Sequence, residues 1–254
     1  NSSLETKILW ILMPIALVSL VAASQLVISL VNCFSTLLVK PNLLARMDFS
    51  HKIPFDSSTL VVIPAMLTNV EEIENFVEAL EVRFLANRNE NLHFGLLTDF
   101  TDASQETLPG DQPLLDLAEE RIVALNKKYK RVNNDLFFLF HRPRNWNPKE
   151  NAWMGYERKR GKLSDLNALL RGITKEHFSL IIGNQSIFQN IKYVITLDAD
   201  TQLPLSSAWK LIGTMAHPLN RAWYDENKKR VTKGYGILQP RITVSLPDIT
   251  GSRY

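Results

Sequence analysis

The stretch TLVVIPAMLTNVEEIENFVEALEVRFLA, residues 59–86, decides the fold of this chain. Residues 59–67 form a short apolar run rich in β-branched side chains, which is typical of a buried strand. Apolar residues then recur at the spacing of a helix face, at Ile73, Phe76, Val77, Leu80 and Phe84. The stretch therefore predicts a β-strand followed by the helix that crosses over to the next strand.

The same alternation continues along the chain. Further strands are predicted in LHFGLLTDF (92–100), DLFFLF (135–140), YVITLDAD (193–200) and YGILQPRI (235–242). Further helices are predicted in LLDLAEERIVALNKKY (114–129) and KLSDLNALLRGI (162–173). Strands that alternate with helices predict an α/β fold with a mainly parallel sheet and helices on both faces. Ligands of such sheets bind at the carboxyl ends of the strands.

Residues 8–39 contain no charged side chain, and Lys7 and Lys40 bracket them. This run exceeds the roughly 20 residues that a helix needs to cross a bilayer, so residues 1–40 are predicted to hold a transmembrane helix. A signal peptide fits less well because its apolar core is shorter and ends at a small-residue cleavage site. Three polar or kinking residues favour packing against further membrane helices: Pro14, Gln25 and Asn32.

Basic residues are more numerous after the apolar run than before it. Lys40, Arg46 and Lys52 follow the run, against Lys7 before it. The positive-inside rule then predicts that the rest of the chain faces the cytoplasm. Residues 41–58 show no periodicity and are predicted to be a juxtamembrane linker, with the α/β domain spanning 59–254.

Charge and cysteine content exclude several classes of protein. The net charge of +3 is small for 254 residues and gives little reason to expect a polyanionic partner. Cys33 is the single cysteine, so an intrachain disulfide is impossible, and no Cys or His spacing indicates structural zinc. We expect the domain to face a reducing compartment, and we assign the histidines no role.

The strand predicted in 193–200 ends in two carboxylates, Asp198 and Asp200. In an extended strand residues two apart face the same side, so both carboxylates are predicted to hold one divalent cation, Mg²⁺ or Mn²⁺. Such an ion bridges the phosphates of a nucleotide sugar and stabilises the charge on the departing diphosphate. The alternative is a polar strand end without a ligand, because Asp-x-Asp is common by chance.

A further carboxylate, Asp99, ends the strand predicted in 92–100. Two strands that end in acids indicate one cleft, and Asp99 is the candidate for hydrogen bonding to the base or ribose of a nucleotide. Its alternative role is a turn or a helix cap. Asp102 fits that alternative better than Asp99 does, so we leave Asp102 out of the site.

A basic run, RKRGK (158–162), opens the helix predicted in 162–173. Lysines at a helix N-terminus favour an anion, so Lys162 or Arg160 is the candidate for contacting the diphosphate of the donor. A solvated charged patch is the alternative.

The segment HRPRNWNPKENAWMGYER, residues 141–158, lacks periodicity and is longer than most loops of compact domains, which favours a functional role. It contains Trp146 and Trp153. These rings either stack on sugars or anchor the loop to the core.

Six motifs, taken together and in order, resemble the glycosyltransferase domain of cyclic β-1,2-glucan synthases. They are LVVIPAML, NLHFGLLTDFTDA, FLFHRPRNWN, WMGYERKRGKLSDLNALLRG, YVITLDADTQLP and GTMAHPLNR. The preceding LLARMDFSHKIP (43–54) fits the junction between membrane and catalytic domain in that family. The resemblance implies a GT-A fold related to cellulose-synthase-like transferases, in which Asp99 matches the acid after an early strand and Asp198 and Asp200 match the Asp-x-Asp pair.

The resemblance also implies a function. It implies an inverting, membrane-bound hexosyltransferase that moves glucose from UDP-glucose to a β-1,2-glucan acceptor, in a multi-pass protein of the inner membrane with its catalytic domain facing the cytoplasm. The family's catalytic base is expected after Tyr254, so the glycosyltransferase domain is expected to be incomplete here and no catalytic residue is assigned. Glucose specificity does not follow from any residue of this sequence.

Two other functions fit parts of the pattern. A nucleotide-binding α/β module without transferase activity needs only the strand-end acids. RNA binding through the basic and aromatic loop requires phosphate contacts along a track, and two acidic strand ends argue against it. We therefore expect no nucleic-acid partner.

Overall fold

The computed structural model describes residues 2–39, 43–130 and 135–240. The chain divides into two compact units, Asn1–Leu44 and Ala45–Tyr254. Among its described residues, the first unit contains one helix, α1 (Ser2–Leu38). The elements of the second unit are, in chain order, β1 (Thr59–Leu67), α2 (Val70–Ala86), β2 (Leu92–Phe100), α3 (Asp111–Lys128), β3 (Phe137–Arg142), β4 (Asn145–Asn147), β5 (Ala152–Met154), α4 (Arg158–Leu170), β6 (Leu180–Ile182), β7 (Tyr193–Thr196), α5 (Ser207–Ala216), β8 (Trp223–Asp225) and β9 (Arg230–Lys233).

The N-terminal helix has the length and composition of a membrane span. Its segment Leu12–Leu38 is apolar, and none of this segment is buried inside the protein. Large apolar side chains such as Phe34 and Leu38 are exposed along it, which a helix in water avoids. The predicted apolar helix that could span a membrane is confirmed. Lys40, the basic residue predicted to follow the span, lies outside the described residues.

The second unit is built on a central sheet with the strand order β6-β3-β2-β1-β7. Strands β7, β1, β2 and β3 run parallel, and β6 pairs antiparallel with β3 at the edge. Each parallel connection passes through a helix, as expected for strands that alternate with helices. The structure confirms the predicted α/β class and the mainly parallel sheet.

Side chains alternate between two faces of the sheet and form a core on each. On one face Val61, Phe94 and Leu139 belong to the cluster that includes α2, α3 and α5. On the other face Leu97 and Phe140 pack with residues of α4 and of the 3-10 helix Gln185–Asn190. Helices therefore cover both faces, as predicted. The alternation also decides toward which face each polar residue at the end of a strand points.

Two predicted strands differ from the structure. Strand β7 ends at Thr196, because the bond from Thr201 N to Asp198 O (3.0 Å) closes a turn in place of the predicted strand end. The strand predicted in YGILQPRI is wrong within residues 235–240, where Tyr235 makes one isolated bridge with Arg221. Gly234 has a φ of +72° and turns the chain, and Pro240 lacks the N–H that a ladder requires. Residues 241 and 242 lie outside the described residues.

Part of the segment predicted as a juxtamembrane linker packs onto the α/β unit. Phe49 and Ile53 are buried in its core, and Met47 N donates to Gly213 O at 2.9 Å. A Cβ atom at Gly213 would lie 2.3 Å from Met47 O, so this close approach requires glycine. The described residues of 41–58 thus include a segment that is ordered against α5, while the domain boundaries stay a prediction.

Candidate functional site

The turn Asp198–Thr201, called the acidic turn below, follows β7 at the carboxyl end of the sheet. The carboxylates of Asp198 and Asp200 are both exposed there. The prediction that strand alternation places both carboxylates on one side is wrong, because β7 ends at Thr196 and both acids lie in the turn that follows. The backbone turn presents both acids to solvent.

Arg83 of α2 binds the backbone of the acidic turn from the protein interior. Its guanidinium is buried and donates to the carbonyl of Ala199 (2.8 Å) and, through Nη2 and Nε, to that of Thr201 (2.6 and 3.1 Å). Burial lowers the pKa of Arg83, and the negative charge of Asp200 partly offsets this effect. These bonds fix the peptide units on both sides of Asp200, so Arg83 is a positioning residue for the turn.

Asn87, one helical turn after Arg83, extends this hold to the following segment. Its side-chain amide donates to the carbonyls of Leu203 (3.1 Å) and Pro204 (3.2 Å), and its oxygen accepts from Ala208 N (3.0 Å). The C-terminal half of α2 therefore fixes the chain from the acidic turn to the start of α5.

Lys159 is the basic side chain that contacts a carboxylate of the acidic turn. Its ammonium donates to Asp198 Oδ1. Lys159 lies in the first turn of α4, which begins four residues earlier than the sequence pattern predicts. Arg160, one of the two predicted diphosphate contacts, is 83% exposed and pairs with Glu157 at 3.2 Å instead.

Asp99 and Arg142 form a buried ion pair on the face of the sheet that packs against α4. Arg142 Nε and Nη2 donate to the two Asp99 oxygens, each at 2.9 Å, and the side chains are only 3% and 5% exposed. The register of β2 and β3 sets Asp99 opposite Arg142, which brings the pair together. Burial alone lowers the pKa of Arg142, but its bonds with Asp99 and Asp165 raise the pKa above its usual value.

Two more charged residues complete this cluster. Lys162 Nζ lies 3.4 Å from Asp99 Oδ2 and donates to the carbonyl of Ala65. Asp165 accepts from Arg142 Nη1 at 2.5 Å and contacts His177 Nδ1 at 2.6 Å. Burial lowers the pKa of Lys162, and attraction by Asp99 offsets only part of that shift. The cluster of Asp99, Arg142, Lys162 and Asp165, called the buried charge cluster below, balances two acids against two bases.

Backbone around the buried charge cluster leaves no room for larger side chains. A Cβ atom at Gly155 would lie 2.1 Å from Asp99 Oδ2, and one at Gly161 would lie 1.9 Å from Tyr156 O. Glu157 and Arg158 have φ values of 50° and 48°, in the left-handed region that is unfavourable for side chains with a Cβ. Arg142 Nη2 also donates to the carbonyls of Tyr156 (3.2 Å) and Arg158 (3.3 Å), which stabilises this bend.

The structure thus separates the predicted site residues into two groups. Asp198 and Asp200 are exposed on the acidic turn, whereas Asp99 and Lys162 lie inside the buried charge cluster. The first turn of α4 joins the two groups. Lys159 contacts Asp198 of the acidic turn. Lys162 lies three residues later on the same helix and contacts Asp99 of the buried charge cluster. In this structure Lys162 does not reach the surface where a diphosphate would bind.

The long loop after β3 is a small hairpin of β4 and β5. Trp146 and Trp153 are cross-strand partners, with ring centroids 5.9 Å apart. Trp153 is also anchored through its backbone, which exchanges two 2.9 Å hydrogen bonds with Ala103. Trp146 is the more exposed ring of the pair, and Trp153 packs beside it as its support.

Comparison with known proteins adds a separate observation. No family model matches the chain. Over 230 residues, 91% of its length, the chain is 40% identical to the cyclic beta-(1,2)-glucan synthase NdvB of Rhizobium meliloti (strain 1021). The chain belongs to the cyclic β-(1,2)-glucan synthase family. It spans 8% of the length of that relative.

Membership of the glucan synthase family confirms the resemblance carried by the six sequence motifs. The motifs contain the acidic turn, Asp99 and the start of α4, but they do not show which residues touch. Sequence reasoning missed Arg83, Lys159 and Arg142 as residues that position the site. One signal for Arg83 was available in the sequence. Arg83 lies at the helical spacing of the apolar residues that α2 buries, and a buried arginine requires a partner.

The donor atoms of the acidic turn suit a hard divalent cation. Asp198 and Asp200 offer carboxylate oxygens, the ligands that Mg²⁺ and Mn²⁺ prefer. Within the described ranges no group of three or more His, Cys, Asp or Glu side chains is arranged to hold a metal. Two carboxylates alone are a usual protein contribution where Mg²⁺ also binds phosphate oxygens and water. The residues present therefore fit an ion that arrives with a diphosphate.

Proposed function

We propose that the α/β unit binds the donor of an inverting glycosyltransferase, which moves glucose from UDP-glucose to a growing β-1,2-glucan with the help of Mg²⁺ or Mn²⁺. The observation that carries this proposal is the exposed acidic turn, fixed by Arg83 at the carboxyl end of the parallel sheet. Membership of the glucan synthase family supports the substrate class. UDP-glucose, the inverting outcome and the metal are parts of the proposal.

In this proposal Asp198 and Asp200 would hold the cation at the diphosphate. The bound cation supplies positive charge that stabilises the departing nucleoside diphosphate. Lys159 would leave Asp198 and turn its ammonium toward the phosphates, because it lies in the first turn of α4 beside the acidic turn. We assign no base to the residues that the structure describes.

The buried charge cluster sets the floor of the proposed nucleotide site. Asp99 would accept a hydrogen bond from the base or ribose, and Arg142 keeps its carboxylate oriented. Trp146 would stack on the sugar or acceptor ring, supported by Trp153. The direct test is incorporation of labelled glucose from UDP-glucose into β-1,2-linked glucan by the full-length protein. UDP binding without any transfer would favour a nucleotide-binding module instead.

Replacement of Asp99 by Asn is expected to weaken UDP binding about tenfold, because a charge-assisted hydrogen bond is lost. Metal dependence of the remaining activity is expected to change less. The measurement is UDP affinity by calorimetry with and without Mn²⁺. Asp165→Asn is the matched control, since it also removes a carboxylate partner of Arg142 but no proposed nucleotide contact. Equal losses in both variants would show that Asp99 acts only by placing Arg142.

The α/β unit is proposed to lie on the cytoplasmic side of the inner membrane, in a protein that crosses the bilayer several times. A tag at the exposed Pro109, in the loop between β2 and α3, is expected to escape a membrane-impermeant thiol or protease probe in intact cells. Permeabilisation is expected to expose it. A tag placed before Ser2 is the control for the opposite side of α1. Labelling of the Pro109 tag from outside would overturn the orientation.

A further inference from the structure

A cavity lies on the opposite face of the sheet from the buried charge cluster. It occupies about 340 Å³ between the start of α3, the end of β3 and the start of β6. The sheet separates the cavity from the buried charge cluster. Consecutive residues of β3 point to opposite faces, so His141 lines the cavity while Arg142 points to the face covered by α4. The residues of its wall that matter here are Phe100, Glu106, Gln112, Glu119, His141 and Arg144.

One wall of the cavity holds an unsatisfied polar group. His141 is 0% exposed, its Nδ1 lies 2.9 Å from Thr98 Oγ1, and its Nε2 has no hydrogen-bond partner. Among the residues that the structure describes, His141 Nε2 is the only buried side-chain nitrogen or oxygen without a hydrogen-bond partner. Buried polar atoms are nearly always paired, so the exception indicates a missing partner.

The chemistry of His141 favours a hydroxyl as that partner. Burial lowers its pKa to about 4, which leaves the imidazole neutral near pH 7. A neutral imidazole presents either a donor or an acceptor at Nε2, depending on its tautomer. A hydroxyl group can both donate and accept, and therefore satisfies either tautomer.

The charges of the lining disfavour an anion. Arg144 is the cation of the wall, and its guanidinium is bound to Asp111 (2.5 and 3.0 Å) and to the carbonyls of Thr101 and Glu106. Glu106 and Glu119 leave negative charge at the cavity, which repels phosphate and accepts hydrogen bonds from hydroxyl groups. Phe100 adds an apolar part of the wall, and its ring packs against His141 (4.3 Å between ring centroids) and the Arg144 guanidinium (5.0 Å).

We propose that this cavity is a non-catalytic binding site for a neutral saccharide of one or two rings. Its volume lies near the lower end of the roughly 300–1,000 Å³ that small-molecule pockets occupy, which suits a mono- or disaccharide. The site is separate from the donor site and does not depend on transfer at the acidic turn. In a glucan synthase it would hold a segment of glucan away from the reacting end.

Protection of an engineered cysteine tests this proposal in the full-length protein. Thr107 lines the cavity and is exposed, so Thr107→Cys is expected to react about fivefold more slowly with an alkylating reagent when the β-1,2-linked glucose disaccharide is saturating. Ser104→Cys, exposed in the same loop but outside the lining, is the matched control. Mass spectrometry locates the modified residue. Equal protection of both cysteines, or protection by inorganic phosphate alone, would overturn the proposal.

A second variant pair tests the role of the lining. In the Thr107→Cys background, Glu119→Ala is expected to raise the disaccharide concentration for half protection about tenfold. Glu120→Ala, the next residue of α3 and outside the lining, is expected to leave it unchanged. An unchanged concentration in Glu119→Ala would contradict the site. UDP binding measured on the same samples reports on the donor site, so failure of one proposal is distinguishable from failure of the other.

Discussion

Replacement of Asp198 or Asp200 by alanine is expected to lower metal-dependent glucose transfer at least about 100-fold. Each change removes one of the two carboxylates proposed to hold the cation that neutralises the departing diphosphate. Folding is expected to survive, because both side chains are exposed and the turn is held through its backbone by Arg83. The measurement is transfer rate against Mn²⁺ concentration, together with thermal unfolding of each variant.

Asp102→Ala is the control for this pair of variants. Asp102 is an exposed acid after β2 that pairs with Arg158 at 2.8 Å and has no proposed role with the cation. Its transfer rate is expected to stay close to that of the parent protein. Undiminished turnover in Asp198→Ala or Asp200→Ala would contradict the metal assignment, as would full activity of the parent protein in excess chelator.

Replacement of Arg142 by methionine is expected to destabilise the α/β unit by about 3–5 kcal/mol, the usual cost of breaking a buried ion pair. The change leaves the carboxylate of Asp99 buried without its main partner, and it removes the donors to the carbonyls of Tyr156 and Arg158. The measurement is the free energy of unfolding by urea for residues 1–254 in detergent.

Arg160→Met is the matched control for Arg142→Met. Arg160 belongs to the same region but is 83% exposed and makes one surface ion pair with Glu157. Its replacement is expected to change the free energy of unfolding by less than about 0.5 kcal/mol. A loss of similar size in both variants would show that the buried charge cluster contributes little to stability.

The sequence predicted the strands that are buried on both faces, and it failed where local pattern carries no information. β1 and β2 are long apolar runs, so their position followed from composition. β6 has three residues and no alternation to detect. YGILQPRI has the composition of a strand, but in the part of the chain that is described it makes only the bridge between Tyr235 and Arg221. Gly234 turns the chain before this segment, and Pro240 lacks the N–H that a ladder requires.

The candidate site was predicted only in part, for a related reason. Acids that directly follow parallel strands lie at the carboxyl ends of those strands, where ligands bind. Asp99 and the acidic turn could therefore be found from local sequence. The partner of Asp99 could not, because Arg142 lies 43 residues away and meets it only through the register of β2 and β3. Lys159 was missed in favour of Lys162 because the true start of α4 is set by the bend that Arg142 stabilises.

The contact between Lys159 and Asp198 makes the lysine an internal competitor of the cation in the proposed site. The apparent affinity for the ion equals the intrinsic affinity multiplied by the fraction of molecules in which the ammonium has moved away. Both side chains are more than half exposed, at 51% and 58%. Such pairs contribute only about 0–1 kcal/mol, so competition reduces the apparent affinity by no more than about sixfold. Lys159 is therefore a weak built-in counterion that an arriving metal and diphosphate displace readily.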